Sequence, residues 1–359
     1  MAKASEAVES EFGEWPLKRL MTEVVGSGVK SAEDMSREQA TDAIRRILAN
    51  EPDQTTLGAF WLANRWKHNV AQELSAYADV VAEDVITAVP DADPVDCGAN
   101  YDGKGDTAIL GAAAGIVAAG AGTPVVVHSG DRVPTQKQDA YKHVLDELGI
   151  QTEIEPVESA AMVDETGFGF YYQPAFAPHI NAINDRRDKM GVRTFFNTIE
   201  TIMNPAKADV HLGSFYHLAF AKKMVDTFKK METQHPHRVL MFQGMEGYDD
   251  IRPGYTKVGE WTDGEFIDYE IETPEYGMDF EYEDLEVNPD DVAGDSAKLT
   301  REIISGNRTD YFVDAVALNA AFRIYARDDA ETIETGLEMA HESIESGSAA
   351  AVLEDLQAF

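Results

Sequence analysis

Residues 95–149 set out a strand, a tight glycine-rich turn, a helix, a second strand and a second helix. The first apolar run ends in Val95-Asp96-Cys97-Gly98, and Gly98, Asp102, Gly103 and Gly105 follow where an extended chain must turn sharply. An uncharged Ala/Gly segment comes next, then an apolar run at 124–128 and a charged amphipathic segment. A helix entered from such a loop aims its N–H groups and its dipole at one point, where an anion can be held. The segment therefore predicts an α/β protein that handles phosphate.

The rest of the chain extends that pattern on one side only. Over residues 14–84 apolar residues recur at three- and four-residue spacing, predicting helices at 15–24, 36–49, 55–67 and 71–79. Ser36 and Asp53 stand where helix starts are expected. After about residue 90 strands and helices alternate. Strands are predicted at 95–98, 125–128, 152–155, 167–172, 210–213 and 238–243, and helices at 107–119, 135–148, 177–189, 216–231 and 330–345. Such alternation favours a mostly parallel sheet with helices on both faces. Ligands of these sheets sit beyond the carboxyl ends of the strands, where Gly98, His128 and residues 243–246 fall. Between 256 and 291 the pattern becomes antiparallel, with strands at 257–261 and 266–272 around a Thr262-Asp-Gly turn.

A chain of 359 residues with 44% apolar content can bury a sizeable core. Its net charge of −35 comes from 65 acidic residues against 30 basic ones, spread along the chain rather than gathered in a tail. That surface suits a very salty cytoplasm, where screening is strong. A single cysteine, Cys97, excludes an intrachain disulfide and reads as a small buried residue at a strand end. Residues 108–127 carry no charge, but Gly122-Thr123-Pro124 interrupts them, so a buried helix and strand are expected rather than a membrane span.

Three segments together are specific. They are Gly115-Ile-Val-Ala-Ala-Gly-Ala-Gly-Thr-Pro-Val-Val-Val-His128 with Val144-Leu-Asp-Glu-Leu-Gly149, then Gly191-Val-Arg-Thr-Phe-Phe-Asn197 leading to Asn204-Pro205-Ala206, and finally Leu318-Asn319-Ala320-Ala321 with Glu334-Thr-Gly-Leu-Glu-Met-Ala. In order and spacing they resemble the anthranilate phosphoribosyltransferase family, within the group that includes pyrimidine nucleoside phosphorylases. The resemblance implies a small helical domain over 1–90, with a contribution from about 190–205, and an α/β domain over 91–359. It also implies a homodimer formed through the helical part. The implied reaction moves ribose 5-phosphate from phosphoribosyl pyrophosphate, with Mg²⁺, to a small aromatic amine.

Residue by residue, the resemblance places donor phosphates at Gly98, Asp102 and Thr135, with Lys104 and Thr107 expected to compensate for the hydroxyls missing from the following helix start. It places the acceptor at His128, Arg132 and Arg187, the last matching an arginine that meets an aromatic carboxylate. Asp249 and Asp250 match two acids that hold Mg²⁺. The chain departs from the family where Asn100 and Tyr101 replace glycines, where Ile109-Leu110-Gly111-Ala112 offers no hydroxyls, and where Thr198-Ile-Glu-Thr replaces Leu-Leu-Gly-Pro. Two alternatives stay open: phosphorolysis of a nucleoside, and a non-catalytic nucleic-acid binder using Arg186-Arg187, Lys222-Lys223 and Lys229-Lys230. The acidic background argues against nucleic acid, which needs a basic track.

Overall fold

The computed structural model describes residues 12–26, 28, 30–98, 101–245, 248 and 250–359. A helical turn at Leu17–Leu20 passes into a wider turn at Met21–Val25. The helices α1 (Arg37–Leu48), α2 (Gln54–Lys67) and α3 (Ala71–Glu83) follow. Ser36 caps α1 reciprocally with Gln39, and the Asp53 carboxylate caps α2 through the amides of Thr55 and Thr56, so both expected helix starts are real caps.

The α/β part then runs β1 (Val95–Cys97), α4 (Gly111–Gly120), β2 (Val125–Ser129), α5 (Tyr141–Leu148), α6 (Pro156–Thr166), β3 (Phe168–Tyr172), α7 (Asn184–Met190), β4 (Val210–Phe215), α8 (Leu218–Lys230) and β5 (Arg238–Gln243). A hairpin of β6 (Tyr255–Thr262) and β7 (Glu265–Glu272) and the helices α9 (Val292–Ile304), α10 (Tyr311–Ala326), α11 (Ile333–Glu345) and α12 (Ser348–Ala358) complete it. The hairpin turns on Asp263 and Gly264, both with positive φ, as a two-residue turn of this twist requires.

The seven strands form one sheet in the order β3-β2-β1-β4-β5-β6-β7, the first five parallel and the last two antiparallel. Alternate residues face opposite layers. Val95, Cys97, Val125, Val127, Val210, Leu212, Leu240 and Phe242 pack with α4, α5 and α9–α12. Val126, Tyr171, Phe215, Val239 and Met241 pack with α8 and the N-terminal helices. Cys97 is buried in the first layer.

Four sequence expectations are corrected. Residues 152–155 form no strand: the Thr152 hydroxyl bonds the Asp146 carboxylate and Pro156 opens α6. The helix expected from 107 begins at Gly111, because Thr107 is held in a bridge to Glu286 and the Ala108 amide donates to the Leu285 carbonyl. The helix expected from 135 begins at Tyr141, since Thr135 and Lys137 have left-handed backbones (φ +78° and +53°). The helix expected at 177–189 is split into Pro178–Asn181 and α7. Residues 108–127 divide into α4 and β2 as expected, and no helix among the described residues is long and apolar enough to cross a membrane.

Candidate active site

Strand order decides where a ligand can lie. From β1 the chain winds outward through β2 and β3, and from β4 it winds the other way to β5, so β1 and β4 flank the switch point of the sheet. A crevice opens beyond the carboxyl ends of two such strands. There a cavity of about 510 Å³ is lined by the turn 101–103, by residues 193–202, by the end of β4 and the start of α8, and by Tyr248. Its size is that of a small-molecule site.

The wall is polar on one side. Arg193 Nη2 lies 3.2 Å from Asp102 Oδ2, and the Asn197 side-chain amide donates to Asp102 Oδ1 at 3.1 Å. Arg65 reaches across from α2 to the Arg193 carbonyl, so the helical region supplies part of the rim. The other side is apolar, from Phe215, Phe220, Met224 and Met241.

The floor is a buried polar cluster built by strand register. Asp96 and His211 are direct partners across β1 and β4, and His128 lies two residues beyond Val126, the partner of Asp96 on β2. All three therefore point to the layer facing the N-terminal helices. His211 Nδ1 is 2.8 Å from Asp96 Oδ2, His128 Nε2 is 3.1 Å from Asp96 Oδ1, and the Tyr101 hydroxyl is 2.7 Å from His128 Nδ1. Burial alone would raise the Asp96 pKa, but the two imidazoles outweigh it and hold the carboxyl at about 2. Tyr101, which replaces a glycine of the resembled loop, is itself buried against this floor, and the cavity stays open above it.

A family model described as "Glycosyl transferase family, a/b domain" matches residues 97–350. Anthranilate phosphoribosyltransferase of Methanocorpusculum labreanum is 33% identical, over 91% of this chain and 95% of its own. The chain belongs to the anthranilate phosphoribosyltransferase family. It is thereby a glycosyltransferase of the phosphoribosyltransferase type. Among solved structures, anthranilate phosphoribosyltransferase from Thermus thermophilus is 25% identical with a TM-score of 0.77, covering 95% of this chain and 98% of that one. The Saccharomyces cerevisiae enzyme in complex with PRPP and Mg shares the fold at 19% identity and a TM-score of 0.76, covering 95% and 96%.

Within this phosphoribosyltransferase the residues singled out from sequence are scattered. Asp102 lines the cavity. Gly98 closes the end of β1, where a Cβ would meet the Thr201 carbonyl at 1.9 Å, so only glycine fits. Lys104 is turned inward: its ammonium is 2.5 Å from Asp250 Oδ2 and donates to the Ala108 carbonyl. Asp250 also accepts from the Leu110 amide, and Ser296 takes the Ile109 amide. The anion expected at the start of α4 is thus the protein's own Asp250.

The hydroxyls of Thr107 and Thr135 are buried without a hydrogen-bond partner among the described residues, and neither residue lines the cavity. Arg132 is half exposed and pairs with Asp139. Arg187 is buried and forms a two-pronged pair with Glu200 (2.6 and 2.8 Å), with Asn184 and Asn197 at its remaining edges. The role expected of Arg187, meeting an acceptor carboxylate, is filled from within. Asn100 and Asp249 lie outside the described residues.

Sequence reasoning passed over Asp96, Arg193 and His211. Arg193 stands inside the motif at 191–197, but His211 acquires meaning only through the β1–β4 register.

Proposed function

We propose that this protein transfers the phosphoribosyl group of phosphoribosyl pyrophosphate, with Mg²⁺, to a small aromatic amine of the anthranilate kind bound in the switch-point cavity. The observation that carries the reading is the cavity's divided wall. Arg65 and Arg193 offer guanidinium groups to an anionic donor, while Phe215, Phe220, Met224 and Met241 offer a slot to a planar ring. The names of the relatives support the donor and the acceptor class, and the yeast complex supports the ion.

The residues present accept Mg²⁺ at one oxygen. Asp250 Oδ1 is buried and meets no hydrogen-bond partner among the described residues, while Oδ2 is taken by Lys104. Mg²⁺ commonly uses one or two carboxylates and leaves its other positions to water and substrate phosphates. Asp250 would hold it, with Asp249 beside it in the sequence, and the ion would neutralise charge developing on the diphosphate. Asp102, in turn, fixes the Arg193 guanidinium at the rim. The nucleic-acid reading is disfavoured by the basic pairs themselves: Lys222 and Lys229 lie over the rings of Phe266 and Trp261 at 5.5 and 5.4 Å, on the protein's own hairpin.

Calorimetry with phosphoribosyl pyrophosphate and Mg²⁺ in concentrated KCl tests the reading. Binding should be clear in the native protein and weaken at least tenfold in Arg193→Ala, the loss of one charge-assisted contact being worth about 1.5–3 kcal/mol. Absence of binding in the native protein rejects it.

A further inference from the structure

The floor of the cavity carries a group for which the substrate-clamping residues leave no task. His211 sits on β4 between Val210 and Leu212, almost fully buried, and lines the cavity. Its Nδ1 faces Asp96 Oδ2 at 2.8 Å, and its Nε2 makes no hydrogen bond to any described residue. Nε2 lies toward the cavity wall at Gly213, where an added Cβ would stand only 3.1 Å from it. Any larger residue at 213 would crowd that nitrogen.

Hydrogen-bond bookkeeping fixes the proton. Asp96, ionised, has only acceptors to offer. Facing a carboxylate, His211 Nδ1 carries hydrogen, so the neutral form of this imidazole has its lone pair on Nε2. The second imidazole completes the arrangement: His128 Nδ1 accepts from the Tyr101 hydroxyl, so its Nε2 hydrogen faces Asp96 Oδ1 at 3.1 Å. The carboxylate is bonded through Oδ2 to His211, and of the two imidazoles beside it only His211 lines the cavity.

We propose that His211, oriented by Asp96, is the general base of this cavity and takes the proton that an aromatic amine releases as its nitrogen bonds to C1′ of the pentose. The proposal rests on the phosphoribosyl-transfer reading. In the step, the C1′–O bond to the diphosphate breaks and its electron pair leaves with the diphosphate. The amine lone pair forms the C1′–N bond, and the N–H proton passes to His211 Nε2. The imidazolium so formed faces the Asp96 carboxylate and returns its proton to water after product release. His211 is the catalytic residue, and Asp96 is a positioning residue.

The test combines two readouts. Long-range ¹⁵N NMR of the native protein should show His211 as the Nδ1–H tautomer, and Asp96→Asn should abolish that preference. With phosphoribosyl pyrophosphate, Mg²⁺ and a panel of anilines and aminobenzoates, His211→Asn should lower kcat by about 10²–10⁴-fold. Calorimetric affinity for the donor should stay within threefold. Turnover of His211→Asn within threefold of native, an Nε2–H tautomer, or donor binding without turnover on any amine overturns the proposal alone. A native protein that binds no donor overturns the phosphoribosyl-transfer reading and takes the proposal with it.

Discussion

Asp250→Ala is expected to destabilise the protein by about 3–5 kcal/mol, read as a lowered urea midpoint at unchanged slope. Three things fail together in that variant. The Lys104 ammonium, fully buried, loses the carboxylate 2.5 Å away. The Leu110 amide at the start of α4 loses its acceptor. The dipole of α4 loses its anion. An uncompensated buried charge costs far more than the pair itself contributes, so removing both partners should be milder than removing one. Lys104→Met combined with Asp250→Leu should recover most of the loss. If the single and double variants are equally unstable, the Lys104–Asp250 pair is not what holds the start of α4.

The second large effect concerns Glu200. In Glu200→Ala the Arg187 guanidinium, 1% exposed in the native protein, keeps only the side-chain oxygens of Asn184 and Asn197. A loss of about 3–5 kcal/mol is expected for the same reason. This variant carries its own remedy: an aromatic carboxylate such as benzoate can take the vacated place, since a guanidinium accepts a carboxylate two-pronged. At 100 times its dissociation constant such a ligand restores about 2.7 kcal/mol. Benzoate should therefore raise the thermal midpoint of Glu200→Ala and leave Arg187→Met/Glu200→Ala unmoved. Equal stabilisation of both would place the carboxylate elsewhere, at Arg65 or Arg193.

These two pairs show what could be read from the residues and what could not. The sheet was legible because its parallel strands are short, mostly apolar runs, and burial on both faces enforces that composition. The switch-point cavity followed from strand order and needed no single residue. The charges were not legible. Lys104 and Asp250 are distant in sequence, and nothing local marks a lysine that will fold inward onto an aspartate. Glu200 was visible as a departure from the resembled motif, but only the fold shows that its carboxylate reaches Arg187. Thr107 and Thr135 were expected at helix starts, and both were displaced by backbone pairing or left-handed conformation that local pattern does not reveal. His211 shows the same limit in the other direction. A histidine in an apolar run looks like core, and it becomes chemistry only when register sets it beside Asp96.

The proposed seating of the donor at the β1–β4 switch point, with the protein's own Asp250 at the start of α4, is tested most directly by a crystal soaked with phosphoribosyl pyrophosphate and Mg²⁺ in concentrated KCl. Density for the pentose and phosphates against Asp102 and Arg193, with Lys104 still on Asp250, is the predicted result. A diphosphate seated on the Leu110 and Gly111 amides with Asp250 swung away, or a cavity that stays empty, would contradict it.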